Sequence, residues 1–318
     1  MSIAKYIKEI GRGAAGARSL SSEQARELMS TVLAGEASDL EVGAFVLAMR
    51  MKGETVDELT GFLQAVQARC IKFHSDRPVV VIPTYNGARR LPNLTPLLAM
   101  WLAQEGARVL VHGQPHDKAR VTSGEIFHDL GLPAAQNEAD IHSAWSRREP
   151  AYVDTEVLCP PLQRLLDVRW TVGVRNSGHT VAKMLDPIAG VRTLRMVSFT
   201  HPEFGALMTA WAQAQGVDAM LLRGTEGEVV ADPRRQPRID TWVAGQLRPE
   251  WSAPAQDGVV TELPLLPREN DAATTALYIQ AVLSGEKPAP APLARQVQLV
   301  RGALAALDAP QPALGKTA

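Results

Sequence analysis

The chain has 318 residues, 46% of them hydrophobic and 21% charged, with a formal net charge of −1. That is the composition of an ordinary globular protein, long enough for one large and one small domain. It excludes a molecule that attracts polyanions over its whole surface.

No apolar run is long enough to span a bilayer, and the opening MSIAKYIKEI lacks the apolar centre of a signal peptide, so no membrane partner is expected. Cys70 and Cys159 have no metal-like spacing, which points to a reducing, cytoplasmic compartment. The first seventy residues read as helices. Ser21 with Gln24, and Thr55 with Glu58, have capping-box spacing. Leu40, Ala44, Leu47 and Ala48, then Leu59, Phe62, Leu63 and Val66, recur at helical intervals. From Val79 the pattern changes to strand-like VVVI, ARVLVH, RMVSF and DAMLLR, alternating with helical runs near 95–104, 123–130 and 202–214. Such alternation predicts a mainly parallel sheet flanked by helices. Residues 162–185 read as helical and strand-free, like the opening block. The tail predicts a helix over 271–283, a loop at EKPAPAPLA and a last helix over 297–307. The fold class expected is α/β: a small all-helical domain from 1–72 plus 162–188, and a larger α/β domain from 73–161 plus 189–318.

The loop after the first strand, Pro83 to Arg90, stands where α/β proteins usually seat a phosphate. Phosphate cradles favour glycines, which let backbone amides approach the oxygens, and here Gly87 is followed by Arg89 and Arg90 instead.

LAMRMKGETVDELTGF at 47–62 resembles the signature of glycosyltransferase family 3, the anthranilate phosphoribosyltransferases and nucleoside phosphorylases. NLTPLLA, the VHG ending at Gly113, SGEIFHDLG and VGVRN follow in the same order. The resemblance implies a helical dimerisation domain and an α/β domain that holds phosphoribosyl pyrophosphate with magnesium. Position by position, most of that machinery is missing. The family's GTGGDG-type loop falls on Pro83, Thr84, Tyr85, Asn86, Gly87 and Ala88, with Thr84 alone retained and Pro83 lacking an amide. KHGNR becomes Val111, His112, Gly113, Gln114 and Pro115. The paired serines become Lys118 and Ala119, and the metal-binding acids fall on Val229 and Val230, with Glu226 and Glu228 shifted upstream as weak candidates. A remnant phosphoribosyl site would comprise Thr84, Asn86, Gly87, Asn93, Thr95, His112 and Gly113.

PTYNGARR, CPPLQRLL, VRNSGHTVAK, SFTHPEF and RGTEGEV resemble the YbiB-like proteins, a divergent branch of that fold. This second resemblance implies a homodimer that binds single- or double-stranded nucleic acid, with neither cofactor nor catalytic residues. The residues offer three basic clusters for such a role: Arg89 with Arg90, Lys118 with Arg120, and Arg164, Arg169, Arg175 and Lys183. Tyr85 and Trp170 stand beside them as possible base-stacking surfaces, and His112, His179 and His201 are expected to be structural. The alternative is a phosphoribosyltransferase or phosphorylase with another substrate, using magnesium on Glu226 and Glu228. A protein-recruiting scaffold with incidental basic clusters is a third reading.

Overall fold

The computed structural model describes residues 2–13 and 15–308. The expected α/β segment runs on to 318, and residues 309–318 lie outside the described residues. The chain opens with α1 (Ala4–Ile10), α2 (Ser22–Leu33), α3 (Asp39–Lys52) and α4 (Val56–Gln67). Ser21, Ser38 and Thr55 each cap the amide three residues on, and Gln24, Glu41 and Glu58 return the bond, so local chemistry alone starts three of these helices. Close approach then locks α2 on α4: a Cβ at Gly61 would lie 2.1 Å from the Ser22 carbonyl oxygen. Glu58 is a second tie. Fully buried, it accepts from the Leu20 amide at 2.9 Å and from Lys52 Nζ at 2.7 Å.

The chain then runs through β1 (Phe73–His74), β2 (Val79–Thr84), α5 (Thr95–Gln104), β3 (Arg108–Gly113), α6 (Ser123–Asp129), α7 (Glu138–Ser146) and β4 (Ala151–Asp154). Four short helices follow: α8 (Thr155–Leu158), α9 (Pro160–Asp167), α10 (Arg169–Val172) and α11 (Ser177–Ala182). The last part comprises β5 (Ile188–Ala189), β6 (Thr193–Phe199), α12 (Pro202–Gln215), β7 (Ala219–Arg223), β8 (Ile239–Val243), β9 (Gln246–Leu247), α13 (Ala272–Leu283) and α14 (Ala291–Asp308).

Among the described residues seven strands form one sheet in the order β4-β3-β2-β6-β7-β8-β9, parallel from β4 to β7 and antiparallel beyond. In β2, Val79 and Val81 face one core and Val80 and Ile82 the other, as a strand covered on both sides requires. The first core is continuous with the helical unit and with α7 and α12. The second lies under α5, α6, α13 and α14. The architecture is a small helical domain on a larger α/β domain with a mostly parallel sheet.

Three elements depart from the sequence reading. β4 has only four residues, too few to show a pattern. β8 and β9 form a hairpin whose central residues, Ala244 and Gly245, have φ of 50° and 71°; that turn normally announces itself as Asn-Gly, which is absent here. The supposed loop EKPAPAPLA is half helix, because α14 starts at Ala291 and carries Pro292 where a missing amide does no harm.

Candidate functional site

β2 and β6 lie side by side, yet the chain leaves β2 toward β3 and leaves β6 toward β7, in opposite directions across the sheet. At such a reversal the loops beyond the strand ends part and leave a crevice, where open α/β sheets bind ligands. A cleft of about 840 Å³ lies there. It is lined by Asn86, Arg89 and Arg90 after β2, by Ser198 to His201 at the end of β6, by the end of α3 with Gly53 and Glu54, and by the segment from Gly173 to Thr180.

The loop after β2 meets the loop after β7. Glu228, 1% exposed, accepts from the amides of Asn86 at 2.7 Å and Gly87 at 2.6 Å, and from Thr95 Oγ1 at 3.3 Å. Glu226 accepts from the amides of Arg89, Arg90 and Leu91 at 3.2, 2.7 and 2.9 Å. Both carboxylates reach the same loop because the chain turns sharply between them, with φ of 52° at Glu226 and 91° at Gly227. A Cβ at Gly227 would sit 1.6 Å from Asn86 Nδ2, so only glycine fits. Behind the loop, Thr84 Oγ1 and Ser123 Oγ are 2.6 Å apart, Asn93 Nδ2 donates to Ser123 Oγ at 3.1 Å, and Asn93 Oδ1 accepts from the Thr95 amide at 3.2 Å.

The cleft side of this assembly is cationic. Lys183 Nζ donates to the Gly227 carbonyl at 3.1 Å, Arg175 Nη1 to Asn86 Oδ1, and Arg120 Nη1 to the Gly87 carbonyl at 3.1 Å, with Glu226 3.9 Å away. Burial pulls Lys183 down to about 8 against the opposing pull of the Glu228 carboxylate, and the charges of Arg175 and Arg120 add to the lowering. Burial, then Arg169 and Arg120, pulls Arg175 down to about 10. His179 uses Nδ1 to complete the cap of α11 with Asn176, while its buried Nε2 has no protein partner. Burial and the neighbouring arginines hold it well below the ordinary histidine range, hence neutral. Burial also pushes the Glu54 carboxyl up.

Of the eight cations singled out in the sequence, Arg89, Arg90, Arg120, Arg175 and Lys183 line this one cleft, joined by Arg50. Lys118 and Arg169 stand 4.6 and 4.0 Å from the centroid of the Trp170 ring, which is 42% exposed. Arg169 is not a free cation, because its guanidinium pairs with Asp117 in a largely buried contact. Arg164 is set apart, its Nη2 directed at the Leu33 carbonyl 3.4 Å away. Tyr85 is no stacking surface: it is buried, with its hydroxyl 2.8 Å from His112 Nδ1. His112 is a core residue, pulled down to about 3 by burial. Thr84, Asn93 and Thr95 belong to the buried network, and Gly113 pairs with Thr84 across the sheet. The sequence reading missed Arg50 and Glu54, which sit inside the family-like stretch at 47–62 but look there like ordinary helix-end charges.

Phosphoribosyl pyrophosphate with magnesium does not fit these residues. Five loop amides already face carboxylates of the same chain, which would repel a phosphate brought to them. Val229 and Val230, where the resemblance puts the family's metal acids, are packed in the second core.

A helical bundle on a mostly parallel sheet, with a crevice at the strand reversal, is the architecture of the anthranilate phosphoribosyltransferase-like fold. Residues 4–70 match the helical bundle domain of the glycosyl transferase family. Anthranilate phosphoribosyltransferase from Thermus thermophilus superposes with a TM-score of 0.70 over 95% of this chain and 89% of its own, at 21% identity. The Saccharomyces cerevisiae enzyme in complex with PRPP and Mg gives 0.68 over 94% and 86%, at 13% identity. In sequence, the Moorella thermoacetica enzyme is 26% identical over 300 residues, 91% of this chain and 85% of that protein. YbiB of Escherichia coli K12 is 40% identical over 300 residues, 93% of this chain and 92% of YbiB, and the chain belongs to the YbiB family.

Proposed function

We propose that the protein binds nucleic acid through its phosphate backbone, as a homodimer, and does not transfer a phosphoribosyl group. One observation carries this reading. Arg175 and Lys183 are part-buried cations at the cleft, each donating to a neutral oxygen, and they share one buried carboxylate, Glu228, with Asp117 also acting on Arg175. Part-buried cations that outnumber their carboxylates are completed by an external anion. Arg50, Arg89, Arg90 and Arg120 share the cleft with two acids, Glu54 and Glu226. Lys118 and the exposed Trp170 offer a continuation outside it, suited to single or double strands. Phosphate contacts of this kind position a strand without reading its sequence.

A second copy is supported by α3, which leaves Leu40, Leu47 and Met51 exposed. α1, by contrast, buries Tyr6 and Ile10 in its own unit. No helix among the described residues is long and apolar enough to cross a membrane.

The competing reading, a phosphoribosyltransferase or phosphorylase on an unidentified substrate, draws support from the relatives named as transferases. The filled loop amides and the valines at the metal positions weigh against it. A salt titration with oligonucleotides of unrelated sequence separates the two. The log–log slope should be roughly −0.7 to −0.9 per phosphate contact, shallower in Arg89→Ala with Arg90→Ala, and similar for every sequence. Salt-independent binding would overturn the proposal. Turnover of anthranilate with phosphoribosyl pyrophosphate, abolished by Glu228→Gln, would install the transferase reading instead.

A further inference from the structure

We infer that Glu226 and Glu228 serve as an internal anion that closes the loop after β2 to external phosphate, and that removing the outer carboxylate exposes a site for a single phosphoryl group. Successive backbone amides turned to one side form an anion-binding concavity, and phosphate and carboxylate are the anions that suit it. Here the concavity has two pockets. The inner one, made by two amides and the Thr95 hydroxyl, holds the buried Glu228. The outer one, made by three consecutive amides from Arg89 to Leu91, holds Glu226, whose side chain is 16% exposed and borders the cleft. Arg120 stands 3.9 Å from the Glu226 carboxylate and would face any anion that replaced it.

The arrangement explains how the cleft can be rich in cations yet closed at its loop. A phosphate approaching the outer amides meets a carboxylate already seated on all three, so a phosphorylated ligand is left to the side-chain cations. Truncating Glu226 to alanine removes that acceptor and its charge together. Three donors then point into the cleft beside Arg120, a set matched to inorganic phosphate or a phosphomonoester. The inference is independent of nucleic-acid binding, since it concerns backbone amides that the parent protein withholds from every ligand.

The test is amide hydrogen exchange over residues 85–91, with inorganic phosphate as probe and chloride at matched ionic strength as control. In the parent, exchange in this segment should be slow and unchanged by phosphate. In Glu226→Ala it should quicken roughly tenfold or more, the equivalent of losing a hydrogen bond to a charged acceptor, and phosphate should slow it again. Glu226→Gln, which keeps an acceptor oxygen, should fall between the two without phosphate. Phosphate-dependent slowing in the parent would overturn the inference, as would a folded Glu226→Ala that exchanges like the parent or ignores phosphate. Should the alanine variant not fold, the parent and Glu226→Gln decide it: a glutamine variant exchanging like the parent refutes the role of the charge. Oligonucleotide titrations on the same samples report separately on the nucleic-acid reading.

Discussion

Replacing Lys183 by methionine should make the protein more stable and a poorer binder of nucleic acid. Methionine keeps the length of the aliphatic stem and removes the charge. In the folded protein burial draws Lys183 from the ordinary 10.5 to about 8. At about 1.4 kcal/mol per pH unit, the drop sets an upper bound of about 3 kcal/mol on the penalty for the buried charge at pH 7. The substitution also loses the bond from Nζ to the Gly227 carbonyl, 3.1 Å long, a loss of about 1 kcal/mol. The expected net gain is about 1–2 kcal/mol at pH 7.

The sign follows from proton counting. Between pH 8 and 10.5, the bounds of that shift, the unfolded chain holds a proton that the folded chain has released. Lys183 therefore makes the parent more stable as pH rises through this window, and the advantage of Lys183→Met shrinks to nothing across it. Urea midpoints at pH 7 and at pH 10, followed by tryptophan fluorescence, measure both limits. Binding should move the opposite way. Parent affinity for an oligonucleotide should decline above about pH 8 as Lys183 loses its proton, whereas the variant should lack that component. The variant's salt slope should be shallower by roughly 0.7–0.9, one phosphate contact. A variant less stable than the parent at pH 7, or one with unchanged affinity and pH profile, would refute the reasoning.

Two further variants probe the helical unit. Glu58→Ala removes the fully buried acceptor shared by Lys52 and the Leu20 and Thr55 amides, and should cost roughly 3–5 kcal/mol by urea unfolding; a loss below about 1 kcal/mol would show that Lys52 and the amides find other partners. Leu40→Lys with Met51→Lys places two charges on the exposed face of α3 and should give a folded monomer in sedimentation; an unchanged dimer would exclude that face.

Much of the fold is legible in the sequence because its signals are local. The serine or threonine three residues before glutamine or glutamate at Ser21 and Thr55 caps its helix through groups only three positions apart, and Val79–Thr84 reads as a buried strand from its own side chains. β4 and the β8–β9 hairpin escaped because four residues carry no period and Ala244–Gly245 disguises its turn. The difference between this loop and a glycine-rich phosphate cradle is also local, written in Pro83, Tyr85 and the single Gly87. What its amides bind is not. Glu226 and Glu228 look in sequence like displaced metal acids, and they meet amides some 140 positions away only because β6 carries the loop after β7 across to β2. Tertiary structure likewise sorted the cations. It neutralised Arg169 with Asp117, turned Arg164 toward α2, and gathered Arg89, Arg90, Arg120, Arg175 and Lys183 on one cleft. Helix caps and strand periods depend on neighbours a few residues apart. A charge's partner and its access to water depend on which distant segments the sheet order brings together.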